Sequence, residues 1–208
     1  MRIEEKYTKK LLVEGNNDKH VILALRQRFN MPEIFDVINC EGIDKLYKSI
    51  SLRFKQADIE TIGIIIDADT DINEHWKTVQ KLLSNQRFNI PNDLPAEGLV
   101  LSNGEVKVGV WVMPNNNING MLEDFMLFLV PKGDELLPVV DDTLNEIENR
   151  NLNRYLPIHK SKARIHSWLS WQEDPGTPLG FSITKRYLTT DNENCEQLIN
   201  WMKKLFVE

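Results

Sequence analysis

Six carboxylates could do chemistry together in this chain: Glu14, Asp18, Asp67, Asp69, Asp71 and Glu123. Asp67, Asp69 and Asp71 stand at alternate positions directly after the apolar run Gly63-Ile64-Ile65-Ile66. Carboxylates that close repel one another by roughly 1 kcal/mol at 4 Å in water, and by several times that near a protein surface. A divalent cation is the usual way to offset such repulsion. Glu14 follows Leu11-Leu12-Val13 directly, and a carboxylate that ends a buried strand must be solvated or paired. Asp18, Asp71, Glu123 and Asp124 also have a simpler reading, because each lies near an expected helix start, where the dipole favours an acid. Jointly, and with no matching basic residues nearby in sequence, they point to a hard, oxygen-liganded ion, Mg²⁺ or Mn²⁺.

The elements that must position these groups follow from periodicity. Lys9 to Val13 reads as a strand, and the helix after it, capped by Asn16 or Asn17, carries Val21, Ile22, Leu25 and Phe29 at helical spacing. Phe35 to Cys40 reads as a second strand and Asp44 to Gln56 as a second helix. The β-branched run before Asp67 reads as a strand buried on both faces, followed by a helix from about Asn73 to Ser84. Alternating strands and helices imply a parallel, doubly wound sheet. In such a sheet ligands sit beyond the carboxyl ends of the strands, where the acids fall. Near 98–114 the pattern changes to a β-hairpin, with Asn103-Gly104 as a two-residue turn signal and the longer arm joining the main sheet. A helix from about Gly120 to Val130 is apolar on most sides and should be buried. Asp134 to Arg150, Lys160 to Gln172 and Asn194 to Phe206 read as further helices, peripheral to the sheet. The expectation is one α/β domain over 1–208, with its core at about 8–130 and a helical C-terminal extension at about 131–208.

Bulk properties narrow the class. At 208 residues, 41% hydrophobic and 27% charged, the composition is that of a globular domain. A net charge of −6 argues against a protein that coats nucleic acid along its whole surface. Cys40 and Cys195 fit no disulfide or zinc spacing and suggest a reducing compartment. The charged N-terminus lacks a signal-peptide h-region, and the longest apolar run, Phe125 to Val130, is too short to span a membrane. A cytoplasmic protein is expected.

Two acidic motifs fail on inspection. An EF-hand loop would need Gly at Ile72 and Glu at Thr78. The haloacid-dehalogenase pattern would want Thr or Val at Asp71 and leaves Glu14 unexplained. A glycosyltransferase-like Asp-X-Asp site stays open, since Asp67-Ala68-Asp69 fits one.

Leu12-Val13-Glu14-Gly15 with Asp18 following, and then Ile65-Ile66-Asp67-Ala68-Asp69, resemble the two signatures of the Toprim domain of topoisomerases, bacterial primases and OLD-type nucleases. The likeness covers roughly residues 8 to 130. Leu122-Glu123 is similar to the additional carboxylate of the OLD-type branch. The chain is more similar still to small stand-alone bacterial Toprim-like proteins, through Lys162-Ala163 and Trp168-Leu169-Ser170-Trp171 to Pro175-Gly176. The resemblance implies a Toprim-like (Rossmann-like) sheet flanked by helices, and one or two Mg²⁺ ions serving phosphodiester cleavage of DNA or RNA. It leaves Glu14 as either metal ligand or general acid–base. No Gly-x-x-x-x-Gly-Lys-Ser/Thr loop occurs in the sequence, so an ATPase would have to come from a partner.

A transition state of this kind also needs a protein cation. From Asn151 to Thr190, Arg154, Lys160, Lys162, Arg164, Lys185 and Arg186 face only Glu173 and Asp174 in composition. With His159, His166, Trp168 and Trp171 alongside, they form the expected nucleic-acid patch, with Lys162 nearest the chemistry. Trp168 and Trp171 at i, i+3 equally suit a core position. Two functions from different classes follow: a Mg²⁺-dependent nuclease, or a non-catalytic metal- and nucleic-acid-binding regulatory module working with a partner protein or as a homo-oligomer. A nucleotide-handling transferase is a third.

Overall fold

Alternation along three strands explains how the helices are divided between two faces. In β1 (Lys9–Val13) Leu11 and Val13 face one side and Leu12 the other. In β3 (Thr61–Asp67) Ile62, Ile64 and Ile66 share the side of Leu12, and in β5 (Lys107–Met113) Val108, Val110 and Val112 do the same. Period-2 alternation with both sides apolar requires cover on both faces. A computed structural model describes residues 5–208 and supplies that cover.

The five strands run in the order β2-β1-β3-β5-β4, with β2 at Asp36–Asn39 and β4 at Leu99–Ser102. β2, β1, β3 and β5 are mutually parallel, and β4 pairs antiparallel with β5 at the edge. The sheet is therefore mixed but mostly parallel, flanked by helices. The β4–β5 turn is longer than Asn103-Gly104 suggests. Ser102 pairs with Lys107, leaving four residues between, and the Asn103 side chain accepts from the backbone N–H groups of Glu105 and Val106 to close it.

One face is covered by α2 (Ile43–Arg53) and α3 (Ile72–Ser84). The other carries α1 (Asn16–Arg28), α4 (Leu122–Phe128), α5 (Leu136–Asn149), α6 (Lys160–Ser170), α7 (Leu179–Thr184) and α8 (Glu193–Phe206). The C-terminal helices are thus not peripheral. Gly63 and Gly109 lie opposite each other in register, and a Cβ on Gly109 would come within 2.6 Å of Leu205. The two glycines form a trough that admits Leu205, Phe206 and Trp201 of α8 against the sheet. Helix α1 starts from Gly15 rather than from Asn16 or Asn17, because the Asp18 carboxylate accepts the Gly15 N–H at 3.1 Å. No helix among the described residues is long and apolar enough to cross a membrane.

A candidate carboxylate centre

The sheet register brings Glu14 and Asp67 together. Val13 pairs with Ile65, so the residues that leave the ends of β1 and β3 are neighbours, and the Asp67 N–H donates to Glu14 Oε1 at 2.8 Å. Asp67 Oδ1 in turn accepts from the N–H of Leu122 at 2.9 Å, which ties the end of β3 to the first turn of α4. Glu123, the next residue, is 4% exposed. Asp18 is turned into the same space from α1 and is 7% exposed. Asp69 holds a left-handed backbone (φ 48°), which Asp tolerates better than most residues. Paired backbone hydrogen bonds with Gly120, at 2.8 and 2.9 Å, hold it there.

These five acids line one cleft of about 530 Å³ at the carboxyl end of the sheet. Lys162 and His159 also line it, and Lys162 Nζ stands 3.3 Å from Glu123 Oε1. Burial is the main cause of the altered acidity inside it. Desolvation, reinforced by the charges of Asp18 and Asp69, pushes Glu14 up to about 7 despite the hydrogen bond from Asp67. Asp18 rises to about 6, again chiefly by burial and then by the charge of Glu123. Asp67 is raised well above the usual carboxylate range by burial and by four neighbouring acids. Each of these groups is costly to ionise without a cation.

Donor chemistry fits a hard divalent ion. The oxygens that the protein leaves unengaged on Glu14 and Asp67 reach the cleft, since Trp111 Nε1 is the one unpartnered buried side-chain polar atom among the described residues. Among those residues no group of three or more His, Cys, Asp or Glu is already arranged to hold a metal ion. The donors the cleft offers are carboxylate oxygens, the type that Mg²⁺ and Mn²⁺ take.

The remaining expected residues lie elsewhere. Asp71 is the N-cap of α3, its Oδ1 accepting from Asn73 and Glu74 N–H at 2.9 and 3.2 Å, and it does not line the cleft. Asp124 closes the start of α4, accepting from Met121 N–H and from the Ser161 hydroxyl. The basic segment is largely neutralised: Lys160 pairs with Glu148, Arg164 with Asp141 and Lys185 with Asp174. Composition counted only nearby acids, whereas Glu148 and Asp141 arrive from α5. Trp168 is buried with its indole N–H on Asp134, whereas Trp171 is 46% exposed.

Other lining residues escape a reading by strand ends in β1, β3 and β5. Asn39 ends β2 and Glu41 follows it, and the same rule of strand carboxyl ends would have reached them. Behind Asp69, His75 Nε2 stands 3.7 Å from Oδ2, and its Nδ1 is 2.9 Å from the Tyr47 hydroxyl. Only the adjacency of α2 and α3 makes that chain of contacts.

With this geometry in hand, comparison with known families is informative. Residues 8–207 match the family described as "Protein of unknown function (DUF3226)". The chain belongs to this family. The match spans the sheet and every helix around it, so the acids of the cleft and the α6 wall that carries Lys162 are all inside the family region. No curated protein and no solved structure matches the chain.

Proposed function

We propose that the chain is a Toprim-like, Mg²⁺- or Mn²⁺-dependent enzyme that cleaves phosphodiester bonds in nucleic acid, working in the cytoplasm. One observation carries the proposal: acids from separate strands and helices share one cleft that Lys162 also lines. Glu14, Asp18, Asp67, Asp69 and Glu123 are the residues that would hold the metal. A bound divalent ion supplies a lowered pKa for an attacking water and charge neutralisation at the phosphate. The protein groups do the rest. As the alternative to ligating the metal, Glu14, with Oε1 fixed by the Asp67 N–H, has its other oxygen for a proton, and a group near 7 is suited to both taking and giving one. Lys162, about half exposed, can leave Glu123 for a phosphate oxygen and balance charge that develops there. Asp67 orients Glu14 and the first turn of α4 at once, through the two backbone hydrogen bonds that it makes.

The test is cleavage of supercoiled plasmid and of single-stranded oligonucleotides with Mg²⁺ or Mn²⁺. Wild type should cut, and Glu14→Gln and Asp67→Asn should each reduce the rate by about a hundredfold or more. Equal behaviour of all three proteins overturns the proposal. Tight metal and nucleic-acid binding without hydrolysis would instead identify a regulatory module.

A further inference from the structure

The acidic cleft has a neighbour. Asn16 and Asn17, in the first turn of α1, line the cleft and also line a second hollow, of about 540 Å³, between α1 and α7. Down this groove α1 presents His20, Leu23, Ala24 and Gln27 at helical spacing, and α7 presents Phe181 and Thr184. None of the residues lining it is acidic. The wall cannot drift, because Gly180 packs so closely on α1 that a Cβ there would lie 2.6 Å from the His20 carbonyl. Leu179, Ser182 and Ile183 are buried, which anchors α7 on both sides of the ring. Phe181, between these anchors, is 52% exposed, and the Lys185 ammonium lies over its ring at 5.3 Å from the centroid.

About half of this ring is open to water, and an aromatic ring face is a surface on which a planar heterocycle can stack. The groove surrounds this ring with amides, an imidazole and a hydroxyl, which offer both donors and acceptors to the edges of a planar heterocycle. Stacking on an aromatic ring tolerates any base, whereas base edges are read by hydrogen bonds. Bases inside a duplex are stacked on each other and cannot enter such a groove. Resting on the phosphodiester-cleaving reading above, we infer that the α1–α7 groove seats an unpaired nucleobase beside the phosphate held in the cleft. Phe181 is the stacking platform, and the substrate class is single-stranded nucleic acid.

Fluorescence anisotropy with a short labelled single strand, and with the same strand annealed to its complement, tests this in Ca²⁺, where binding is read apart from turnover. Wild type should prefer the single strand. Phe181→Ala should weaken that binding about tenfold or more and leave duplex binding unchanged, and Phe181→Tyr should restore it. Phe181→Leu guards against a folding effect, since it keeps apolar bulk and loses the stacking face; it should bind as poorly as Phe181→Ala. In Phe181→Trp, added single strand should quench tryptophan fluorescence by more than it quenches the five native tryptophans of wild type. Equal affinity for both nucleic acids, or unchanged binding in both Phe181→Ala and Phe181→Leu, overturns the inference. So does a wild-type dimer that Phe181→Ala converts to monomer without loss of single-strand binding. Preference for single strands without cleavage would remove the enzymatic reading and leave the groove standing.

Discussion

Strand β1 carries ionisable groups at both ends, and the two ends have opposite electrostatic character. Near its start, Lys10 is 5% exposed and its ammonium lies 2.8 Å from Asp36 and 3.1 Å from Glu5. Arg53 reaches Glu5 as well. The Arg53 guanidinium holds Glu5 at about 2, outweighing its partial burial. Burial alone would raise Asp36, but Lys10 and the backbone N–H groups of Tyr7 and Lys6 bring it below its ordinary value. Beyond the other end, about 13 Å along the strand, Glu14 and its neighbours are raised. The same buried strand thus has balanced charge where it only needs to be stable and unbalanced charge where a cleft opens. Balance marks structure, and imbalance is what a cation from outside would relieve in the proposed metal site.

Substitutions should therefore have opposite signs at the two ends. Lys10→Met removes the ammonium and leaves Asp36 with only its backbone donors, while Glu5 keeps Arg53, so it should cost about 3 kcal/mol in urea unfolding at neutral pH. Asp67→Asn keeps the acceptor for Leu122 N–H and removes a charge from a repulsive set. In metal-free protein at pH 8 it should stabilise by roughly 1–2 kcal/mol while lowering any cleavage. Loss of stability in both variants would break the comparison.

The two ends also answer to different pH ranges. Glu14 and Asp18 bind protons more tightly folded than unfolded, so the stability they supply when protonated is lost as pH rises from about 4 through 6 and 7. Glu5 and Asp36 are lowered, so their contribution is complete above about pH 5 and lost as pH falls towards 2. Metal-free protein should be most stable near pH 5, with a decline towards pH 8 that Glu14→Gln makes shallower. Mg²⁺ should restore stability at pH 8, where the acids are ionised, and should have little effect at pH 5. Thermal melts across that range, with and without Mg²⁺, check both arms.

Much of this contrast could be read before any coordinates, because it rests on strand ends. Leu11-Leu12-Val13-Glu14 and Ile64-Ile65-Ile66-Asp67 each show a buried run stopping at an acid, and the sheet rule places both stops at one edge. What sequence could not show was pairing between distant elements. Arg164 and Lys160 look free until α5 brings Asp141 and Glu148 beside them, and Lys10 looks solvated until Asp36 arrives in register on β2. Helix α7 has no assignment from the sequence, since six residues give too little periodicity to recognise, yet it forms half of the groove beside the cleft. Gly180 was the available signal: a glycine inside Leu179–Thr184 made sense only if another backbone lay against it.

The smallest expected effect separates two acids that sequence alone treats alike. Asp69 and Asp71 continue the same alternation, but a left-handed residue turns the chain at Asp69, and only Asp69 lines the cleft. Asp71 spends its carboxylate on the first turn of α3. Asp71→Ala should cost about 1 kcal/mol of stability, the usual effect of removing a cap, and Asp71→Ser should recover most of it. Calorimetric Mg²⁺ titrations should be unchanged in both variants, whereas Asp69→Ala should weaken binding, on top of the stability lost by placing Ala in a left-handed conformation. If Asp71→Ala and Asp69→Ala weaken Mg²⁺ equally, the N-cap is also part of the metal site, and the boundary between balanced and unbalanced charge lies one turn further along the chain.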